Sequence, residues 1–111
     1  MKNKVQLIGR LGNKIEIKKG GNNVIFARFS LATNTYTQRD GERVEDTQWH
    51  QVVAFGKAAE TLAQHTDKGH ELGLTGRLSY SSYEDKEGIK RYQTDIILEE
   101  FMFMQNQSKS A

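Results

Sequence analysis

Thr47-Gln48-Trp49-His50-Gln51-Val52-Val53-Ala54-Phe55-Gly56-Lys57 holds the single tryptophan of the chain and reads as a β-strand. Period-two alternation puts Trp49, Gln51, Val53 and Phe55 on one face and Gln48, His50, Val52 and Ala54 on the other. A strand with Trp and Phe on one face is either a core strand or a flat aromatic surface, and most large aromatics are buried. The rest of the chain decides between the two.

Upstream, a long strand over about 24–38 carries Ile25, Ala27, Phe29 and Leu31 on one face and Arg28, Ser30, Ala32, Asn34 and Tyr36 on the other. Its length exceeds the usual five or six residues, as expected of a coiled barrel strand that serves two sheets. Arg39-Asp40-Gly41-Glu42 is the turn that returns it to the focal strand, which starts at about 43. Before it, Gly20-Gly21-Asn22-Asn23 tolerates the positive φ of a tight hairpin. Residues 14–19 form a short extended piece with Ile15 and Ile17 alternating against charges. The first strand covers about 3–11, with Val5, Leu7 and Gly9 on one face.

Downstream, residues 57–66 form the one helix the pattern supports. Ala59, Leu62, Ala63 and Thr66 fall at helical spacing, and Gly69 stops it. About ten residues are marginal in isolation, so this helix must dock, and the end of a barrel is the natural place. A fourth strand over 70–83 sets Leu72, Leu74, Leu78 and Tyr80 against Gly73, Thr75, Arg77, Ser79, Ser81 and Tyr83. Gly73 and Gly76 signal close backbone approach or a bend. After the polar loop Glu84-Asp85-Lys86-Glu87-Gly88, a last strand over 90–104 alternates Thr94, Ile96 and Leu98 against Gln93, Asp95 and Ile97. The expected organisation is one domain over residues 1–105 and a polar tail over 106–111. Strand, strand, strand, helix, strand, strand is the order of an all-β OB-fold, a five-stranded Greek-key barrel with one short helix between strands 3 and 4. The pattern alone also fits other small barrels and sandwiches.

A chain of 111 residues with 36% hydrophobic and 27% charged residues suits one globular domain with a modest core. No apolar run approaches the length of a membrane span. The strand pattern begins almost at once after Met1, which leaves no expected room for a signal peptide. Without cysteine there is no disulfide framework and no thiolate metal site. The formal charge of +2 is too small to argue for nucleic acid by itself.

The faces say more. Val52 and Ala54 are the small apolar residues a barrel interior wants, which turns Trp49 and Phe55 outward. Tyr36 and Tyr83 also lie opposite the core residues of their strands, interleaved with Arg28, Arg77 and nearby lysines. Several aromatics on one outer face mark a binding surface. Rings that stack on any base, with cations for phosphates between them, suit single-stranded nucleic acid. A protein–protein interface uses the same residue types.

These residues resemble the bacterial-type single-stranded DNA-binding protein family over nearly the whole chain. The resemblance rests on Leu7-Ile8-Gly9-Arg10-Leu11-Gly12, on Phe29-Ser30-Leu31-Ala32-Thr33-Asn34 and, most specifically, on Trp49-His50 with Val52-Val53 and Phe55-Gly56-Lys57. Lys68-Gly69, Gly76-Arg77-Leu78, Tyr83-Glu84-Asp85-Lys86 and Arg91-Tyr92 add to it. It implies an OB barrel, assembly as a homotetramer, and a cytoplasmic, nucleoid-associated role. That role is binding and protecting single-stranded DNA during replication, recombination and repair. The family's base-stacking aromatics match Tyr36, Trp49, Phe55 and Tyr83, and its phosphate contacts match Lys4, Lys18, Lys57 and Lys68. Arg28 and Arg77 join the phosphate set from the face argument.

Several family features are absent. Lys14-Ile15 stands where an Asp-Pro pair is common, Gln51 where Arg is common, and Ser79-Tyr80-Ser81 where an Arg-Thr-Arg segment is usual. Each missing phosphate contact lowers the salt slope by about 0.7 on a single strand, so weaker and less salt-sensitive binding is expected. Gln105-Asn106-Gln107-Ser108-Lys109-Ser110-Ala111 is not the long acidic-tipped tail of typical members, so recruitment of repair enzymes through such a tip is not expected.

An enzyme reading has little support. His65 and His70 lie off the i, i+4 spacing of helical metal ligands, Glu99 and Glu100 point to opposite strand faces, and no phosphate-binding glycine loop is present. Neither a metal nor a cofactor is expected. The competing reading is a protein-binding OB accessory module, a replication-restart factor or a partner of a full-length homologue.

Overall fold

The computed structural model describes residues 3–104. The expected tail over 106–111 lies outside the described residues. Among the described residues, six strands and one α-helix follow in chain order: β1 (Val5–Leu11), β2 (Lys18–Lys19), β3 (Ile25–Arg39), β4 (Glu42–Phe55), α1 (Gly56–His65), β5 (Glu71–Glu84) and β6 (Lys90–Phe103), with a short 3-10 turn over Gly21–Asn23 between β2 and β3. The barrel closes through the neighbours β1, β3, β4, β6 and β5, with β5 returning to β1. Among the described residues only the β4–β6 pair is parallel, at Val52–Ile96 and Val53–Ile97. This is the all-β, five-stranded OB architecture expected from the element order.

Alternation fills the barrel. Phe29, Leu31, Val52, Ala54, Leu72, Leu74, Ile96 and Leu98 point inward and form one buried cluster. Ala59 and Leu62 of α1 complete it, so the helix seals one end. The helix gains its place from both flanks. Gly56 turns the chain into it at φ +64, and the Gly69 and Leu11 backbones bond at 2.8 Å just beyond it.

Gly76 is fixed by close approach, because a Cβ there would run into the Ile97 carbonyl. The ladder shifts at this point. Gly76 faces Leu98 while Thr75 faces Glu100, leaving Glu99 as the extra residue of a bulge.

Both long hairpins outrun the barrel. The β3–β4 arm ends in a tight turn with φ +53 at Asp40 and +80 at Gly41, the mirror-type geometry that matches strand twist. The β5–β6 arm accounts for one departure from the sequence reading. Tyr80, expected with the core-facing leucines, is 72% exposed because β5 and β6 here form a two-stranded ribbon with no core beneath. A second departure lies in 14–19. Only Lys18–Lys19 pair with β3; Ile15 is buried in the core while Ile17 is exposed, since no ladder holds the two on one face. At the Gly20-Gly21-Asn22-Asn23 turn, Asn22 and Asn23 carry the positive φ, each at 60°.

Phe29 is among the largest fully buried side chains. Phe29→Ala should cost about 3–5 kcal/mol. A denaturant melt should show a sharply lowered midpoint; a change below about 1 kcal/mol would contradict this placement of the core.

Candidate nucleic-acid interface

What leaves the core collects on one outer face. The ladder aligns Lys18 with Phe26 and Phe55 across β2, β3 and β4. The next row runs Arg28, Val53, Ile97 and Arg77 across β3, β4, β6 and β5. Further along, Trp49 stands opposite Ala32, and Tyr36 opposite Glu45. Tyr83 faces Arg91 on the β5–β6 arm. Cross-strand partners share a face, so Tyr36, Trp49, Phe55 and Tyr83 lie on one continuous outer surface with Lys18, Arg28 and Arg77.

The rings are presented rather than packed. Trp49 is 59% exposed, and Tyr36, Phe55 and Tyr83 are each about half exposed. Trp49 reaches across the small Ala32 toward Gly12, where a Cβ would come within 2.5 Å of its Cζ3. One part of the indole is thus braced on bare backbone while the rest stays open. Arg43 lies over the Tyr36 ring at 4.2 Å from its centroid, and the Tyr36 hydroxyl donates to Glu45 Oε2 at 3.2 Å. Between the rings, Gln51 Nε2 donates to Ser30 Oγ at 3.1 Å and Thr47 Oγ1 to Asn34 Oδ1 at 3.0 Å. These pairs fix the polar side chains of the face without covering the aromatics.

The cations divide into two groups. Lys4, Lys18, Lys57 and Lys68 are exposed and make no ion pair among the described residues. Lys57 follows Phe55 in the first turn of α1. Lys68 lies in the loop bonded to Leu11, close to the Gly12 brace. Lys4 stands apart from the aromatic rows, just before β1, where Asn3 bonds the Leu78 backbone in both directions. Arg28 and Arg77 are already engaged: Arg28 with Asp95 at 3.2 Å, and Arg77 with Glu99 at a loose 3.8 Å.

Sequence reasoning missed Arg43 and Asp95. Arg43 shares the strand face of Trp49, and its distance from Tyr36 follows once the Asp40-Gly41 turn fixes the register. For Asp95, alternation gives the outer face, but its partner sits 67 residues away.

The arm that carries Tyr83 is held by its turn. Asp85 accepts from the backbone N–H groups of Glu87 and Ile89 and from Arg91 Nε, each at 2.9 Å. The Ile89 N–H and then the Arg91 guanidinium hold its carboxyl below the usual range. On β4, beyond the two residues that pair with β6, a cleft opens between the arms, lined by Trp49, His50, Gln51, Leu78, Thr94 and Ile96. His50 meets Thr33 Oγ1 at 2.9 Å, and burial lowers its pKa. No cluster of three or more His, Cys, Asp or Glu able to hold a metal occurs among the described residues. No described helix is long and apolar enough to cross a membrane.

A closed five-stranded barrel of this strand order, with one helix sealing its end, defines an OB-fold protein. The chain belongs to the single-strand binding protein family, whose family model matches residues 2–104. It is 38% identical over 103 residues to the single-stranded DNA-binding protein of Xanthomonas axonopodis pv. citri, covering 92% of this chain and 57% of that one. The Clostridium perfringens single-stranded DNA-binding protein is 39% identical over 103 residues, covering 92% of this chain and 65% of that one. The chain therefore spans less than two thirds of the length of these relatives. Among solved structures, the Plasmodium falciparum SSB complex with ssDNA superposes with a TM-score of 0.86 at 27% identity, over 95% of this chain and 97% of that one.

His50 gives a pH prediction. Below its ordinary value of 6.5, the unfolded chain takes up a proton that the folded, partly desolvated ring resists. The unfolded state then binds more protons, so stability falls as pH drops through this window. Urea melts between about pH 7.5 and 5.5 should show this fall, and His50→Gln should reduce it. An identical pH dependence in both proteins would contradict the assignment.

Proposed function

We propose that this chain binds single-stranded DNA with little regard to sequence and protects it during replication, recombination and repair. The observation that carries this is the set of half-exposed rings on one strand-built face: Tyr36, Trp49, Phe55 and Tyr83. Each ring offers a flat surface to any base, and stacking is worth about 1–3 kcal/mol per base. The unpaired Lys18 stands in line with Phe55, and Lys57 and Lys68 border the face; with Lys4 they supply phosphate contacts. No catalytic residue, metal or cofactor enters this activity. The relatives named for single-stranded DNA binding, and the neighbour in complex with ssDNA, support the reading.

The chain acts as a homo-oligomer, a tetramer in this proposal. The support lies on another side of the barrel. β1 pairs with β5 along Val5–Arg10 but with β3 only at Arg10 and Leu11, so most of one edge is unpaired among the described residues. Exposed Ile8, Met102 and Phe103 lie on or beside that sheet. A free edge beside apolar surface suits pairing with a second copy.

Trp49→Ala and Tyr83→Ala should each weaken binding of a fluorescent thymine oligonucleotide by roughly tenfold to hundredfold, read by anisotropy at fixed salt. Their denaturant midpoints should stay near that of the parent, because both side chains are exposed. Unchanged DNA affinity in both variants would favour the protein-binding accessory module instead.

A further inference from the structure

Val53 faces outward by alternation, yet it is only 5% exposed. The cover comes from β3. Arg28 stands opposite Val53 and spans β4 to reach Asp95 on β6, so its stem crosses the valine. Arg28 Nη1 and Nη2 donate to Asp95 Oδ1 and Oδ2 at 3.2 and 3.3 Å, the two-pronged geometry that guanidinium and carboxylate share. Gln93 Nε2 approaches both carboxylate oxygens at 3.1 Å. Asp95 is 8% exposed, a buried negative charge close to the middle of the face that carries Trp49 and Phe55.

The position matters more than the pairing. Along β4, Val53 lies two residues from Phe55 and four from Trp49, about 7 and 13 Å at strand spacing. A single strand stacked on both rings must cross this point. There a carboxylate already fills the fork that a phosphate would otherwise take.

We propose that Asp95, positioned by Gln93, sets the affinity of the face by holding Arg28 away from the DNA backbone. The inference rests on the single-stranded DNA reading above. Asp95 acts as a built-in competitor for phosphate. The centre of the groove stays near neutral, and the grip falls to the aromatic rings and the flanking lysines. A purely structural role, tying β3 to β6 across β4, would instead make Asp95 matter for stability and leave the salt dependence of binding alone.

Asp95→Asn keeps the shape and removes the charge. Binding of a thymine oligonucleotide should tighten by about tenfold at low salt, and the log–log salt slope should steepen by about 0.7, the signature of one added phosphate contact. Arg28→Gln on top of Asp95→Asn should abolish the added slope. An unchanged slope, or weaker binding by folded Asp95→Asn protein, would overturn the proposal. A measurement on the unaltered protein guards against a variant that fails to fold. Nitrogen-15 NMR of the arginine side chains, with Arg28→Gln used to assign the signal, should show the Arg28 resonance unmoved when the oligonucleotide is added. A phosphate-induced shift there would overturn it. If the parent protein binds no single-stranded DNA, the functional reading fails and takes this inference with it. If it binds and the slope stays fixed, only this inference fails.

Discussion

Val52 and Ala54 can enter the barrel only if Trp49 and Phe55 leave it. The two sets sit on one strand with opposite parity, so a one-residue slip would exchange them. The parallel Val52–Ile96 pair seals the barrel on the same residues that set this parity. Closing the core and displaying the rings are therefore one event. The apolar cluster around Phe29, Leu31, Val52 and Leu72 makes the wrong register costly, since it would turn Gln51 in among leucines and expose Val52 and Ala54.

The same constraint orders the electrostatics. Strand pairing puts cations and anions of four strands into cross-strand rows, and some neutralise each other there. Arg77 and Glu99 are an exposed, long pair worth at most about 1 kcal/mol. Arg28 and Asp95 are closer, two-pronged and supported by Gln93. The lysines stay free at the edges: on β2, at the start of α1 and in the loop after it. An aromatic centre with a cationic border suits a flexible polyanion whose bases turn inward and whose phosphates turn outward.

Much of this was legible in the sequence, because alternation encodes faces. Ile25 to Leu31 declared one side of β3, Val52 and Ala54 declared one side of β4, and Asp40-Gly41 marked the turn between them. The helix ends differ by one residue from the expected 57–66, within ordinary boundary uncertainty. Parity names a face, however, and does not say whether a core lies beneath it. Tyr80 shares parity with Leu72 and Leu74 but stands on an arm beyond the barrel. Ile15 and Ile17 differ in burial because their segment lacks a partner strand to hold it flat. Long-range partners were hidden for a different reason. That Arg28 meets Asp95 depends on β4 lying beside β6 in parallel, a crossover that no local pattern records.

In the function proposed above, Trp49 is a base platform held open by the fold. Because it is the only tryptophan, its intrinsic fluorescence reports one position in each chain. We would titrate that fluorescence with a thymine oligonucleotide at low and then moderate salt, with duplex DNA as the control. Strong quenching by the single strand, weakened by salt and absent with duplex, is the expected result. No quenching at any salt, in a sample shown to be folded, would contradict it and leave the aromatic face as a surface for protein.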